Sequence, residues 1–269
     1  MKLKKRRMLY SQNRLINPGL VADLVGKSSI GENDVVLEIG PGKGIITQEL
    51  LNAAKKVIAV EIDEKLYLHL KNKFSELDKL VLVRNDFLKY KLPGYPFKVF
   101  ANTPFVIISD VIRKLTDDKN FQQGYLIVQK EAAKKFIGKP QDSRNQMISV
   151  LLYPWFEIRV YWEFERRDFI PKPSVDCVMI DVKRRDKPLL SWSDSRMYKD
   201  FILYLYNKER GVAGLKKEMI VARFEDFFKT SNSRLRREIE RRARKIEKDQ
   251  KNIKKIHRTR VDRNWKRFG

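Results

Sequence analysis

The chain has 269 residues, 42% of them hydrophobic, enough apolar material for one large domain and a smaller companion, which excludes a disordered or fibrous protein. Fifty-eight lysines and arginines face 34 acidic residues and leave a net charge of +24, an excess that points to a polyanionic partner, nucleic acid ahead of an anionic membrane surface. One cysteine excludes an intrachain disulfide, two histidines leave the usual zinc ligand sets unfilled, and no apolar run approaches the length of a membrane span, so the cytoplasm is the expected compartment.

Residues 1–10 form a basic arm, without the apolar core of a signal peptide. Asn17-Pro18 then reads as a helix cap with proline in the first turn, and Leu20, Val21, Leu24 and Val25 follow at helical spacing. A strand over 35–40 runs into Gly40-Pro41-Gly42-Lys43-Gly44 and a helix to about residue 54. This is a strand, tight loop and helix in which alternate glycines allow sharp turning and close approach of a ligand. The loop lacks the third-glycine spacing of a dinucleotide fingerprint and is not a GxxxxGK[ST] phosphate loop.

The alternation continues with a near-continuous apolar strand over 57–62, suited to burial on both faces, and a helix capped by Asp63. Strands over 80–83 and 97–101, a helix over 106–115, a strand over 124–129 and a helix over 130–138 follow. Period-two stretches over 156–161 and 175–182 predict two closing strands, expected as an antiparallel pair. Cys177 lies in the second of them and reads as core. Beyond Lys187-Pro188 only helical patterns remain, over 197–206, 215–228 and 235–246, which places a domain boundary near 186. The predicted fold is α/β, a doubly wound, mainly parallel sheet in 1–186 followed by a small basic all-α domain in 187–269.

In such sheets ligands bind beyond the carboxyl ends of the strands. Glu61 ends the second strand about twenty residues past the glycine loop, placed to accept both hydroxyls of a ribose, with Ile62 beside it. Asp86 ends the third, placed to accept from an adenine amine, next to apolar Phe87. Either acid can instead cap a helix or a turn. Asn102-Thr103-Pro104-Phe105 ends the fourth: a rigid loop that presents an acceptor beside a stacking plane, suited to a planar base bearing an amino group. Acceptance of both amine protons, by the Asn102 side-chain oxygen and the Thr103 carbonyl, favours a pyramidal nitrogen whose lone pair faces an electrophile.

Seven ordered blocks carry a resemblance. They are Ser11-Gln12-Asn13, Glu38-Ile39-Gly40-Pro41-Gly42-Lys43-Gly44, Val60-Glu61-Ile62-Asp63, Asn85-Asp86-Phe87-Leu88, Asn102-Thr103-Pro104-Phe105, Tyr125 through Glu131 and Phe169 through Asp176. Over residues 10–185 the chain resembles the rRNA adenine N6-dimethyltransferases. The resemblance implies a Rossmann-like class I methyltransferase domain with a mainly parallel seven-stranded sheet and S-adenosylmethionine as cofactor. It implies Gln12, Asn13 and the cradle Glu38, Gly40, Gly42 and Gly44 at the methionine part, Glu61 at the ribose and Asp86 with Phe87 at the adenine. It further implies a flipped-out target adenine on Phe105, with Phe169 on its other side, methylated without a metal.

Tyr10-Ser11-Gln12-Asn13 and Tyr125-Leu126-Ile127-Val128 are similar to the Erm-type enzymes, which modify 23S rRNA and confer macrolide, lincosamide and streptogramin B resistance; Gln129-Lys130-Glu131 is more like the housekeeping small-subunit branch. The Erm reading, a monomer acting on rRNA before assembly is complete, is favoured. Arg14, where the family has phenylalanine, and Arg237 and Arg241 on the basic last helix are candidate rRNA contacts; Thr103 replaces the family's Ile or Leu. A non-catalytic rRNA-binding assembly or transcription factor is the alternative from another class.

Overall fold

The computed structural model describes residues 13–75, 77–138, 147–209 and 211–259, with side chains through 249. Gln12 and the basic arm lie outside the described residues. The chain divides into two units, 1–137 with 156–186, and 138–155 with 187–269.

The first unit begins with a two-residue strand β1 (Arg14–Leu15) and helix α1 (Pro18–Gly26). Asn17 caps α1 by accepting from the Leu20 N–H at 3.2 Å, and proline occupies the first turn, where no N–H is needed. Strand and helix then alternate: β2 (Val35–Ile39), α2 (Ile45–Ala53), β3 (Lys56–Glu61), α3 (Glu64–Lys73), β4 (Leu80–Arg84) and β5 (Phe97–Ala101). Asp63 caps α3 as its position predicts, accepting from the Lys65 and Leu66 N–H groups. Then follow α4 (Ile108–Thr116), β6 (Phe121–Gln129), α5 (Lys130–Ile137), β7 (Phe156–Glu163), β8 (Phe169–Ile170) and β9 (Cys177–Arg184).

Seven strands form one sheet in the order β4-β3-β2-β5-β6-β9-β7, parallel from β4 to β6; β9 runs antiparallel between β6 and β7. The two closing strands are therefore an antiparallel pair in which the later one is inserted between the earlier one and the parallel body. The apolar runs are central: Val36, Leu37, Val57, Val99 and Phe100 are fully buried, and each such side chain contributes roughly 1.5–3 kcal/mol. Cys177 belongs to this core, and burial pushes its thiol up to about 11, which leaves it unsuited as a nucleophile. A separate two-stranded ribbon pairs β1 with β8, Arg14 opposite Ile170 and Leu15 opposite Phe169.

The second unit contains α6 (Met147–Leu152), α7 (Ser195–Lys208), α8 (Lys217–Thr230) and α9 (Ser233–Thr259). Tyr198 organises it: fully buried, it donates its hydroxyl to the Val150 carbonyl at 3.0 Å and meets Trp155 and Phe224 edge-on. The Trp155 indole donates to the Leu190 carbonyl. These contacts draw 138–155 out of the α/β unit, so the contiguous 1–186 domain drawn from sequence is interrupted in the structure. Helix α9 packs on α7 through Ile239 and Ala243. Leu235, at the start of the helical pattern read from sequence, is exposed. Among the described residues no helix is long and apolar enough to cross a membrane.

Candidate functional site

The strand register aligns one edge of the sheet. Ile39 pairs with Val60 on one side and Ala101 on the other, and Glu61 pairs with Arg84. Asp86, Glu61, Gly40 and Asn102 thus follow the carboxyl ends of four adjacent strands, spanning three strand spacings or on the order of 14 Å. A cavity of about 310 Å³ opens at the Asn102 end and brings Asn13, Arg14, Gly40, Gly42 and Asn102 together with Ile16 and Ile170.

The loop between β2 and α2 has the backbone its glycines allow. Gly40 and Gly42 adopt φ of 70° and 61°; a side chain would meet open space at Gly40 and only the Gly40 carbonyl, at 4.0 Å, at Gly42. Gly44, at φ 80°, is a glycine for another reason: a Cβ there would lie 2.7 Å from both Leu70 and Phe74 of the neighbouring α3 segment. Its missing Cβ serves helix packing, and Gly44 is not among the residues that line the cavity.

Asn102 carries the clearest geometry. Its Nδ2 donates to the Asn13 carbonyl at 2.8 Å. A carbonyl can only accept, so this bond fixes the amide's orientation and turns Oδ1 away as a free acceptor. Thr103 is buried, its hydroxyl without a hydrogen bond, while its carbonyl is not engaged by any described residue. The Pro104 carbonyl accepts from the Ile107 N–H and closes a 3-10 turn over Phe105–Ile107, which holds Phe105 half-buried against the core.

Glu61 is fully buried and accepts three backbone N–H groups, from Ile62 and Asp63 at 2.8 Å and Gly42 at 3.1 Å. A carboxylate has about four acceptor sites, and three are taken, so acceptance of both ribose hydroxyls as expected from sequence would require release of at least one of these N–H groups. Burial raises the Glu61 carboxyl above its ordinary value, opposed by those three donors. Asp86 uses one oxygen to accept from the Leu88 N–H, the turn role open to it from sequence, and its other oxygen accepts nothing from the described residues. Phe87 is buried, with the Lys114 ammonium 4.9 Å above its ring.

Glu38 lies beneath the glycine loop, 1% exposed, neither oxygen hydrogen-bonded. Burial lifts its carboxyl to about 8; nearby Thr47 draws it down without meeting hydrogen-bond geometry, and Glu61 raises it further. An orphaned carboxyl beneath an open, positive-φ loop fits a cofactor whose polar end carries an ammonium group.

Phe169 is not where the resemblance implies. It is 1% exposed, its ring 5.2 Å from Phe164 and edge-on to it. Adjacent strand residues face opposite sides, so burying Phe169 presents Ile170, 54% exposed, to the cavity with its ribbon partner Arg14. Arg237 and Arg241 are exposed on α9 in the second unit. Sequence reasoning passed over Lys114. From α4 it donates to the Phe87 carbonyl at 2.7 Å and to that of Tyr90, pinning the turn that carries Asp86 and Phe87. No motif marks it, although a cation amid the apolar positions of a short helix invites the question of what it holds. Among the described residues no group of three metal-ligating side chains gathers.

Comparison with known proteins identifies the family. Residues 3–252 match the family model described as ribosomal RNA adenine dimethylase. The ribosomal RNA small subunit methyltransferase A of Caldanaerobacter subterraneus subsp. tengcongensis is 30% identical over 220 residues, covering 79% of this chain and 81% of that protein. An rRNA adenine N-6-methyltransferase of Limosilactobacillus reuteri is 30% identical over 208 residues, covering 77% and 83%. The crystal structure of the 23S rRNA methyltransferase ErmE superposes with a TM-score of 0.67 at 27% identity, covering 78% of this chain and 84% of that one. The chain therefore belongs to the ribosomal RNA adenine dimethylases, enzymes that methylate adenine N6 with S-adenosylmethionine.

Proposed function

We propose that this enzyme dimethylates an adenine of 23S rRNA, an Erm-type activity that confers macrolide, lincosamide and streptogramin B resistance, and that it acts on rRNA before assembly is complete. The observation that carries the chemistry is the fixed amide of Asn102. With Nδ2 committed to the Asn13 carbonyl, Oδ1 accepts one N6 proton of a flipped adenine and the Thr103 carbonyl accepts the other. Both bonds favour the pyramidal nitrogen over the planar one, stabilisation that grows toward the transition state. S-adenosylmethionine supplies the electrophilic methyl group. Gly40, Gly42 and Asn13 hold its methionine part, Glu61 its ribose and Asp86 with Phe87 its adenine, while Ile170 and Phe105 flank the target base and Arg14 meets a neighbouring phosphate.

The 23S assignment draws support from Tyr10-Ser11-Gln12-Asn13, from Tyr125 to Val128 and from the likeness to ErmE. A second reading, methylation of small-subunit rRNA, draws on Gln129-Lys130-Glu131 and on the 30% identity to a small subunit methyltransferase. Transfer of tritiated methyl groups to naked 23S and 16S rRNA separates them. Label in 23S rRNA is expected; label confined to 16S rRNA overturns the choice of subunit, and label in neither overturns catalysis on free rRNA.

A further inference from the structure

At the opposite ends of the parallel strands the first unit has a second concavity, of about 830 Å³, that the methyl-transfer site does not use. Its floor is a closed hydrogen-bond network. Gln123, 6% exposed, donates to the Tyr125 hydroxyl at 3.0 Å and to Asp181 at 2.7 Å, and accepts from the Ser29 hydroxyl at 2.8 Å; the Ser29 N–H reaches the Tyr125 hydroxyl. Every polar group there has a partner, so the floor is rigid. Two wall cations are committed to the fold: Lys98 pairs with Asp34 at 2.8 Å, and Arg184 donates to the Phe121 and Asp118 carbonyls.

The rim differs. Lys27 is exposed, its ammonium 5.2 Å from the Trp162 ring, held out from the end of α1. The Arg159 side chain is 74% exposed with one edge on buried Asp181. Among the described residues Lys183 pairs with Asp186 alone, at 3.3 Å, whose side chain is 86% exposed. A pair that exposed is worth about 0–1 kcal/mol and gives way readily to a phosphate. The lining carries six cations against two carboxylates, Asp34 and Asp186, with Asp181 beneath Arg159 and Glu157 paired with Arg185 at 2.7 Å just outside it.

We infer that this groove is an exosite for the phosphate backbone of the same rRNA that presents the target adenine. The inference rests on the proposed rRNA substrate and extends it, because the fold fixes how far apart the two contacts lie. β5 runs from Lys98 in the groove to Ala101, just before Asn102 in the cavity. Four residues of strand span roughly 13 Å through the protein, so a phosphate in the groove belongs to a nucleotide well removed from the methylated base. The groove therefore grips structure flanking the target and leaves the base itself to the Asn102 loop.

The test is filter binding of naked 23S and 16S transcripts between 50 and 300 mM KCl (roughly the range where counterion release is readable), with the full-length Lys27→Gln/Lys183→Gln protein. Removing two phosphate contacts should weaken both RNAs about tenfold and flatten the slope of log affinity against log salt by roughly 1.5. Lys27→Arg/Lys183→Arg should keep the wild-type slope, and titration with S-adenosylhomocysteine should give wild-type affinity in both variants. A glutamine variant that binds RNA with wild-type affinity and slope overturns the exosite. A parallel loss of S-adenosylhomocysteine affinity overturns it too, as the sign of a structural role. If the wild type methylates neither RNA, the substrate reading fails while this comparison still yields its answer.

Discussion

Asn102 concentrates two tasks in one amide, and substitutions separate them. Asn102→Ala removes the acceptor for N6 and should lower methyl transfer by about 10²–10³, with S-adenosylhomocysteine affinity close to wild type in a calorimetric titration. Asn102→Asp keeps an oxygen at the acceptor position but sets the other against the Asn13 carbonyl with no proton between them, so it should not rescue transfer. Glu38 gives a pH signature. Its carboxyl ionises near 4.5 when unfolded and near 8 when buried. Between those values the folded chain holds a proton that the unfolded chain has released, so stability is full below about 4.5 and declines as pH rises toward 8, by a few kcal/mol in order of magnitude. Urea unfolding of the cofactor-free enzyme at pH 5 and pH 8 should show that decline beyond the one found in Glu38→Gln.

At the scale of elements, the β2-α2 loop and the turn after β4 are held by contacts distant from the chemistry. Gly44→Ala forces a methyl group into Leu70 and Phe74 at a positive φ, which should cost about 1–3 kcal/mol and appear as a lower thermal midpoint. Lys114 acts one element away. Its ammonium holds two carbonyls of the Asp86–Tyr90 turn, and desolvation lowers its pKa while Asp86 opposes the shift. Lys114→Met should free that turn and raise the KM for S-adenosylmethionine about tenfold (roughly 1.4 kcal/mol of cofactor binding), with kcat retained. A fall in kcat with unchanged KM would contradict the positioning role.

These contacts also mark where sequence stopped being legible. Capping at Asn17 and Asp63, the apolar runs of β2, β3 and β5, and the strand-end residues Gly40, Glu61, Asp86 and Asn102 are local signals, and local signals survive folding. Insertion of β9 between β6 and β7 is a choice of pairing, which periodicity does not encode. Met147–Leu152 is a short apolar run that fits a strand as well as the helix it forms. Phe169 was misplaced because a motif names residues, whereas a two-residue ribbon decides which of two neighbours faces inward.

For the molecule as a whole, charge is the dominant variable. A protein at +24 whose rim and last helix expose lysine and arginine should bind rRNA with a steep salt dependence. Six to ten phosphate contacts correspond to a loss of about 10³–10⁵ in affinity between roughly 50 and 200 mM salt. Filter binding of the wild type across that range measures the number directly, and a flat response would mean that base and shape contacts dominate.

The bond between Asn102 and Asn13 has one more consequence. An amide held at its nitrogen is a two-position selector, and the carbonyl of Asn13 is what sets it. In one position an oxygen meets the substrate amine; in the other an NH₂ meets an NH₂, donor against donor. The setting comes from a residue 89 positions earlier in the chain, separated by five residues from the cationic start that ends at Arg7. A clipped protein beginning after Asn13 would retain the sheet, the glycine loop and the helices, yet its selector would be unset. Such a fragment should bind S-adenosylhomocysteine more weakly, for want of the Asn13 contact, and transfer almost nothing.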